Sequence, residues 1–223
     1  MNKELSIELR NMSEEKYYTA SEERLNVVTH GLGFILALFA SSFLLNKGLQ
    51  KGFHLKFISY LIYCFGLLTL YLASTLYHSA KDSALKKRLN IFDHSAIYVL
   101  IAGTYTPIAL LIMKGNWGLV IFCIVWILAI IGIVLKFFFI GRYSKFSTAT
   151  YVLMGWVIVI AIKPLISSMV TQGLIWLLAG GIFYTIGALL YQRKSMKYNH
   201  AIFHVFVLLG SLCHYIVILN YTN

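Results

Sequence analysis

The stretch NHAIFHVFVLLGSLCHYIVIL, residues 199 to 219, contains no Asp, Glu, Lys or Arg. About 20 apolar residues in a helix are enough to cross the roughly 30 Å hydrocarbon core of a bilayer, so this stretch predicts a transmembrane helix. His200 and His204 stand one helical turn apart at its beginning. Such a pair is compatible either with a metal-binding pair or with two incidental polar residues.

Six more apolar windows of similar length precede this one, which predicts an all-α bundle of seven transmembrane helices. Hydrophobic residues make up 59% of the 223-residue chain and charged residues only 12%, well outside the range of soluble proteins. We expect a short cytoplasmic segment at 1–25, a candidate for a helix lying on the membrane surface, and a membrane domain at 26–223. The predicted spans lie at roughly 26–46, 55–78, 92–113, 117–140, 148–168, 172–191 and 200–220.

The distribution of Lys and Arg predicts that the N-terminus is inside and the C-terminus outside. The segments before the first, third, fifth and seventh spans contain fourteen of these residues, and the remaining segments contain five. Basic residues are concentrated in cytoplasmic loops of membrane proteins, where they meet anionic lipid head groups. This explains the net charge of +11 without nucleic acid as a partner. The expected partners are membrane lipids, with self-association into a homo-oligomer as a further candidate.

Acidic residues are scarce outside the N-terminal segment, which contains six of the eight. Asp82 belongs to a loop, where a solvated charge needs no special explanation. Asp93 stands at the predicted start of the third span, in the sequence NIFDHSAIYVL. It could be either a helix N-cap or a functional carboxylate within the membrane.

The predicted topology brings several polar residues to the same depth near the inner leaflet. His78 ends the second span with Ser74 one turn before it, Asp93 begins the third, and His200 and His204 begin the seventh. Three imidazoles with an open fourth position form a typical catalytic zinc site. Asp93 would accept a proton from the water there. The other histidines are expected to be packing or loop residues, although His30 is also a candidate neighbour of the site.

Four segments together resemble the hemolysin III proteins, within the progestin and adipoQ receptor family that includes the adiponectin receptors. They are EERLNVVTHGLG, STLYHS, FDHSAIYVLIAGTYTP and HAIFHVFVLLGSLCHY, between Glu22 and Tyr215. The resemblance implies seven helices with an intracellular N-terminus in the bacterial plasma membrane. It also implies zinc ligands at His78, His200 and His204, with Asp93 near the water and Ser74 as a nearby hydroxyl.

Three functions follow from these observations and are kept open. The first is a zinc-dependent hydrolase of lipid amide or ester bonds, similar to ceramidases, which would serve membrane lipid or energetics homeostasis. The second is a hemolysin-type pore or channel in which the metal is structural. The third is a sensor or regulator of the membrane state, again with a structural metal site.

Overall fold

The computed structural model describes residues 18–50, 54–113, 115–138 and 144–222. A π-helical turn, Ile108–Ile112, extends the third helix, and a 3₁₀ turn, Val157–Ala161, joins the fifth helix to the sixth. The α-helices are α1 (Ala20–Leu49), α2 (Leu55–Ser79), α3 (Ser83–Pro107), α4 (Asn116–Phe138), α5 (Ser144–Gly155), α6 (Ile162–Ser168), α7 (Thr171–Tyr191) and α8 (Asn199–Tyr221).

Within the described ranges, seven helical segments are long and apolar enough to cross a membrane, which confirms the predicted fold class. The third segment combines α3 with its π-helical turn, and the fifth combines most of α5 with the 3₁₀ turn and α6. Large side chains such as Phe39, Phe43 and Leu153 are exposed on the outer surface of the bundle. In water this surface would cause aggregation, but it suits contact with lipid. The inside location of the N-terminus stays a prediction from the loop charges.

Helices α1 and α3 begin earlier in the chain than hydropathy predicted, because each has a polar N-cap residue. Thr19 and Glu22 form a reciprocal capping box, in which the Thr19 hydroxyl accepts from the Glu22 backbone N–H at 3.3 Å, so α1 begins at Ala20. Asp82 accepts from the Leu85 backbone N–H at 2.8 Å, so α3 begins at Ser83. Asp93 is therefore in the interior of α3, and its interpretation as an N-cap is wrong. Residues 1–17, which include most of the predicted surface segment, lie outside the described residues.

The helices pack in a ring that encloses a cavity. Helix α1 packs against α2 and α8, α2 packs against α3, and α3 packs against α4. The ring is completed by α5, which contacts α3, α4 and α7, and by the pairing of α7 with α8. The third span is the most buried of the seven. Its carboxylate, Asp93, consequently faces protein rather than lipid.

Helices α2 and α3 approach closely at two glycines. A Cβ atom on Gly66 would lie 2.9 Å from the carbonyl oxygen of Val99, and one on Gly103 would lie 3.0 Å from the carbonyl oxygen of Ile62. Both neighbours are backbone atoms, which cannot move aside without shifting a helix. Small residues of this kind allow membrane helices to pack at short distance. The contact fixes the position of α2, which carries His78, relative to α3, which carries Asp93.

We expect Gly66→Ala to destabilise the protein, because the added methyl group forces α2 away from α3. Overpacking of this kind typically lowers the free energy of unfolding by about 1–3 kcal/mol. The midpoint of thermal unfolding in detergent measures the effect. Gly155→Ala is the matched control, since a Cβ atom at Gly155 has no neighbour within 4 Å among the described residues. Equal unfolding midpoints for the two variants would show that the α2–α3 contact does not limit stability.

Candidate metal centre

Two helices bring three histidines together at one end of the bundle. His78 lies in the last turn of α2, and His200 and His204 lie in the first turns of α8. Each side chain can contribute one nitrogen to a group whose members all lie within 4.8 Å of one another. The Nε2 atoms of His78 and His200 are 3.2 Å apart. All three residues are buried, with exposed fractions of 4%, 6% and 1% in chain order.

The Nδ1 atom of each clustered histidine has a polar partner outside the cluster. His78 Nδ1 lies 2.6 Å from a carboxylate oxygen of Glu23, and because a carboxylate only accepts, this nitrogen donates. His204 Nδ1 lies 3.0 Å from the Thr29 hydroxyl oxygen, and His200 Nδ1 lies 2.7 Å from the Tyr18 hydroxyl oxygen. Outer hydrogen bonds of this type orient histidine ligands and set which nitrogen faces a metal.

The donor set fits a zinc-type ion. Two nitrogen ligands of a tetrahedral zinc ion, each about 2.0–2.1 Å from the metal, lie roughly 3.3 Å apart. The separation of the His78 and His200 Nε2 atoms is 3.2 Å, and His204 adds a third imidazole to the group. Imidazole suits zinc better than it suits magnesium or calcium, which prefer oxygen. The three residues expected from the sequence are thus the three that the fold gathers.

Asp93 and Ser74 lie beside this histidine cluster. Both residues are buried and line the same cavity as His200 and His204. Ser74 is a neighbour of Asp93. Its oxygen nevertheless falls short of hydrogen-bond geometry with any side chain or backbone group in the described part of the chain. A buried hydroxyl of this kind is available to a ligand.

A cavity of about 140 Å³ extends from the histidine cluster into the middle of the bundle. Helices α2, α3, α5, α7 and α8 all contribute to its wall. The polar side chains of Asp93, His200 and His204 line it, and His214 lines it further along α8. Apolar side chains form much of the remaining wall, among them Leu70, Ile97, Ile101, Phe203 and Val207. A ligand in this cavity would therefore place an apolar portion within the bundle and a polar portion beside the histidines.

Three histidines outside the cluster also border the cavity: His30, His94 and His214. The His30 ring stacks on the His204 ring, with centroids 3.5 Å apart and planes 13° apart. Neither ring nitrogen of His30 has a hydrogen-bond partner among the described residues. His214 makes a 3.2 Å contact through Nε2 with the carbonyl oxygen of Leu177 and is not a member of the clustered group. His30 thus packs directly against a clustered histidine, which makes it a neighbour of the site.

Sequence reasoning missed Tyr18, Glu23 and Thr29. Glu23 was counted with the acidic N-terminal segment, and the predicted first span began only at residue 26. Once α1 begins at Ala20, Glu23, Asn26 and His30 recur at i, i+3 and i+7, which places them on one helical face. The capping box at Thr19 was the signal that could have revealed this register.

Comparisons with known proteins identify a family and several relatives. The family described as Haemolysin-III related matches residues 18–215. "Hemolysin-3" of Bacillus cereus is 43% identical over 200 residues, which cover 90% of this chain and 91% of that protein. "Hemolysin-3 homolog" of Bacillus subtilis is 44% identical over 204 residues, with coverage of 92% and 96%. The human "Monocyte to macrophage differentiation factor" is 28% identical over 209 residues, with coverage of 91% and 85%.

Proposed function

The chain belongs to the haemolysin-III-related family of multi-pass membrane proteins, and we propose that it is a zinc-dependent hydrolase of lipid amide or ester bonds. The bond would be cleaved at the inner leaflet of the bacterial cell membrane. One observation carries the proposal: a buried group of three histidines lies beside an intramembrane carboxylate at one end of a largely apolar cavity. Ionisable residues within a membrane are costly and usually functional.

The chain's own residues supply the positions that hydrolysis requires. His78, His200 and His204 would hold the zinc ion, which would supply Lewis acidity to polarise a carbonyl and to lower the pKa of water toward about 7. Asp93 takes a proton from the attacking water and passes it to the departing nitrogen or oxygen. Ser74 donates a hydrogen bond to the carbonyl oxygen as negative charge develops there.

The overall reaction balances with water as the second substrate. The water oxygen forms a bond to the carbonyl carbon, and the carbon–nitrogen or carbon–oxygen bond breaks. The products are a carboxylic acid and an amine or alcohol. The apolar wall formed by residues such as Leu70, Ile97 and Val207 would hold the acyl chain of the lipid. Such turnover would change membrane lipid composition and serve lipid homeostasis.

A reconstituted protein with a panel of lipids tests the proposal. Purified wild type in vesicles is incubated with acyl-chain-labelled amides and esters, including a ceramide, and released fatty acid is measured. We expect acid release that stops when a chelator removes the metal and returns when zinc is added. A zinc-loaded protein that releases no acid from any substrate would contradict the hydrolase and favour a regulator with a structural metal. Dye leakage from the vesicles that persists with chelator would favour the pore that the names of the Bacillus relatives suggest.

A further inference from the structure

One short segment meets the outer nitrogens of all three clustered histidines. Tyr18, Glu23 and Thr29 belong to the lead-in and first turns of α1, whereas the three histidines lie on α2 and α8. Helix α1 packs against α2 and against α8. It therefore bridges the two helices whose relative position determines whether the histidines converge.

Glu23 connects His78 to the beginning of α3. One carboxylate oxygen accepts from His78 Nδ1 at 2.6 Å, and the other accepts from the Lys86 ammonium. The side chain of His78 is fully buried, and that of Glu23 is 18% exposed. A carboxylate that accepts from the outer nitrogen of a histidine raises the basicity of the inner nitrogen and fixes the ring orientation. Glu23 thus prepares His78 Nε2 to bind a cation.

Thr29 contacts the outer nitrogen of His204. The single hydroxyl proton of Thr29 is directed to the backbone carbonyl oxygens of Leu25, at 2.8 Å, and Asn26, at 3.0 Å. With its proton on either carbonyl, the Thr29 oxygen can accept a hydrogen bond from His204 Nδ1, which lies 3.0 Å away. Valine has the same shape as threonine but could not accept this hydrogen bond.

Tyr18 covers the cluster at the point where the chain enters α1. Its hydroxyl lies 2.7 Å from His200 Nδ1, and its ring meets the rings of His78 and His200 edge to face, with centroids 6.0 and 5.1 Å away. This hydroxyl can accept from His200 Nδ1, and in that tautomer the lone pair that binds a metal is on Nε2.

We propose that Tyr18, Glu23 and Thr29 are the positioning residues of the metal centre, and that docking of α1 and metal binding stabilise each other. The proposal rests on the metal site proposed above but not on hydrolysis. Because α1 orients the histidines, its docked position binds metal more tightly than an undocked one. By linkage, bound metal must favour the docked position to the same degree.

Zinc affinity of the detergent-purified full chain tests the positioning role. Competition with a chromophoric chelator is measured for wild type, Tyr18→Phe, Glu23→Gln and Thr29→Val, each shown to be helical by circular dichroism and monodisperse. We expect each variant to bind zinc about 10–100-fold more weakly, as is typical when an outer partner of a ligand is removed. Thr29→Ser should restore the affinity, because serine keeps the accepting hydroxyl.

Ser42→Ala is the matched control. Ser42 lies on α1, and its hydroxyl donates to the Leu38 carbonyl oxygen in the same way that Thr29 donates to Leu25, but it is exposed and far from the cluster. Wild-type affinity is expected for this variant. Unchanged affinity in the three test variants, or an equal loss in Ser42→Ala, would overturn the positioning role. Wild type without any bound zinc would overturn the metal centre itself.

Hydrogen exchange tests the coupling between α1 and the metal. We expect zinc to slow amide exchange in the first turns of α1 in wild type and to have a smaller effect in Thr29→Val. Amide exchange in the transmembrane turns of α4, which carry no residue of the metal centre, serves as the control for a general change in the micelle. Exchange in α1 that is the same with and without bound zinc would refute the coupling, even if the affinities change as expected.

Discussion

Replacing His204 by alanine is expected to remove the metal from the purified protein and, with it, lipid hydrolysis. His204 is almost completely buried and provides one of three clustered imidazoles. If three ligands share an apparent binding free energy of about 10 kcal/mol, the loss of one weakens binding by about 3 kcal/mol. This corresponds to a roughly 100-fold lower affinity. Metal per chain, measured by elemental analysis after size-exclusion chromatography, reports the change directly.

His214→Ala separates loss of a ligand from loss of structure. His214 is on the same helix and borders the same cavity, but it is not in the clustered group. This variant should keep its metal. Equal metal loss in the two variants would mean that shortening either histidine side chain on α8 disrupts the bundle. Full metal retention in His204→Ala would contradict the three-histidine centre.

The seven membrane spans could be predicted, because crossing a bilayer requires a stretch of apolar sequence that few other structures need. The ends of the helices were harder to predict. α1 begins at Ala20 and α3 at Ser83, in polar sequence before each apolar window, where hydropathy gives no signal. The signal there is the side-chain chemistry of Thr19 and Asp82, which act as caps.

The clustering of His78, His200 and His204 could be predicted because topology alone puts the end of α2 and the beginning of α8 at one depth. The helical spacing of four residues then places His200 and His204 on one face. The contact of Thr29 with His204, by contrast, depends on the rotation of α1 about its axis and on the docking of α1 against α8. That orientation is set by packing across the whole helix, so a count of polar residues along the chain could not reveal it.

The same distinction applies to Asp93. Its isolation in an apolar stretch indicated a functional carboxylate, yet the start of the predicted span also made it a plausible cap. The structure decides between these roles, because the capping position belongs to Asp82 and Asp93 lies well inside α3. A buried carboxylate in the middle of a helix cannot cap the helix end. The distinguishing feature of Asp93 is therefore its position beside the histidine cluster.

Asp93→Asn is expected to abolish most turnover while the protein keeps its metal. Asparagine has nearly the same size as aspartate but cannot accept the proton of the attacking water. Loss of a general base typically lowers the rate by about 10²–10⁴-fold. Initial rates of fatty-acid release, measured with the best substrate of the lipid panel, give the rate effect. Elemental analysis of the same sample gives the metal content, and retained metal is expected because Asp93 is outside the clustered histidine group.

Asp82→Asn is the matched control for this experiment, because it makes the same chemical change on the same helix. Asparagine is as good an N-cap as aspartate, so α3 should form normally and turnover should be unchanged. A similar rate loss in both variants would mean that negative charge on α3, rather than proton transfer by Asp93, supports activity. Wild-type turnover in Asp93→Asn would show that another group accepts the proton, and would leave the buried carboxylate without a role in hydrolysis. Loss of turnover and metal together would instead assign Asp93 to metal binding.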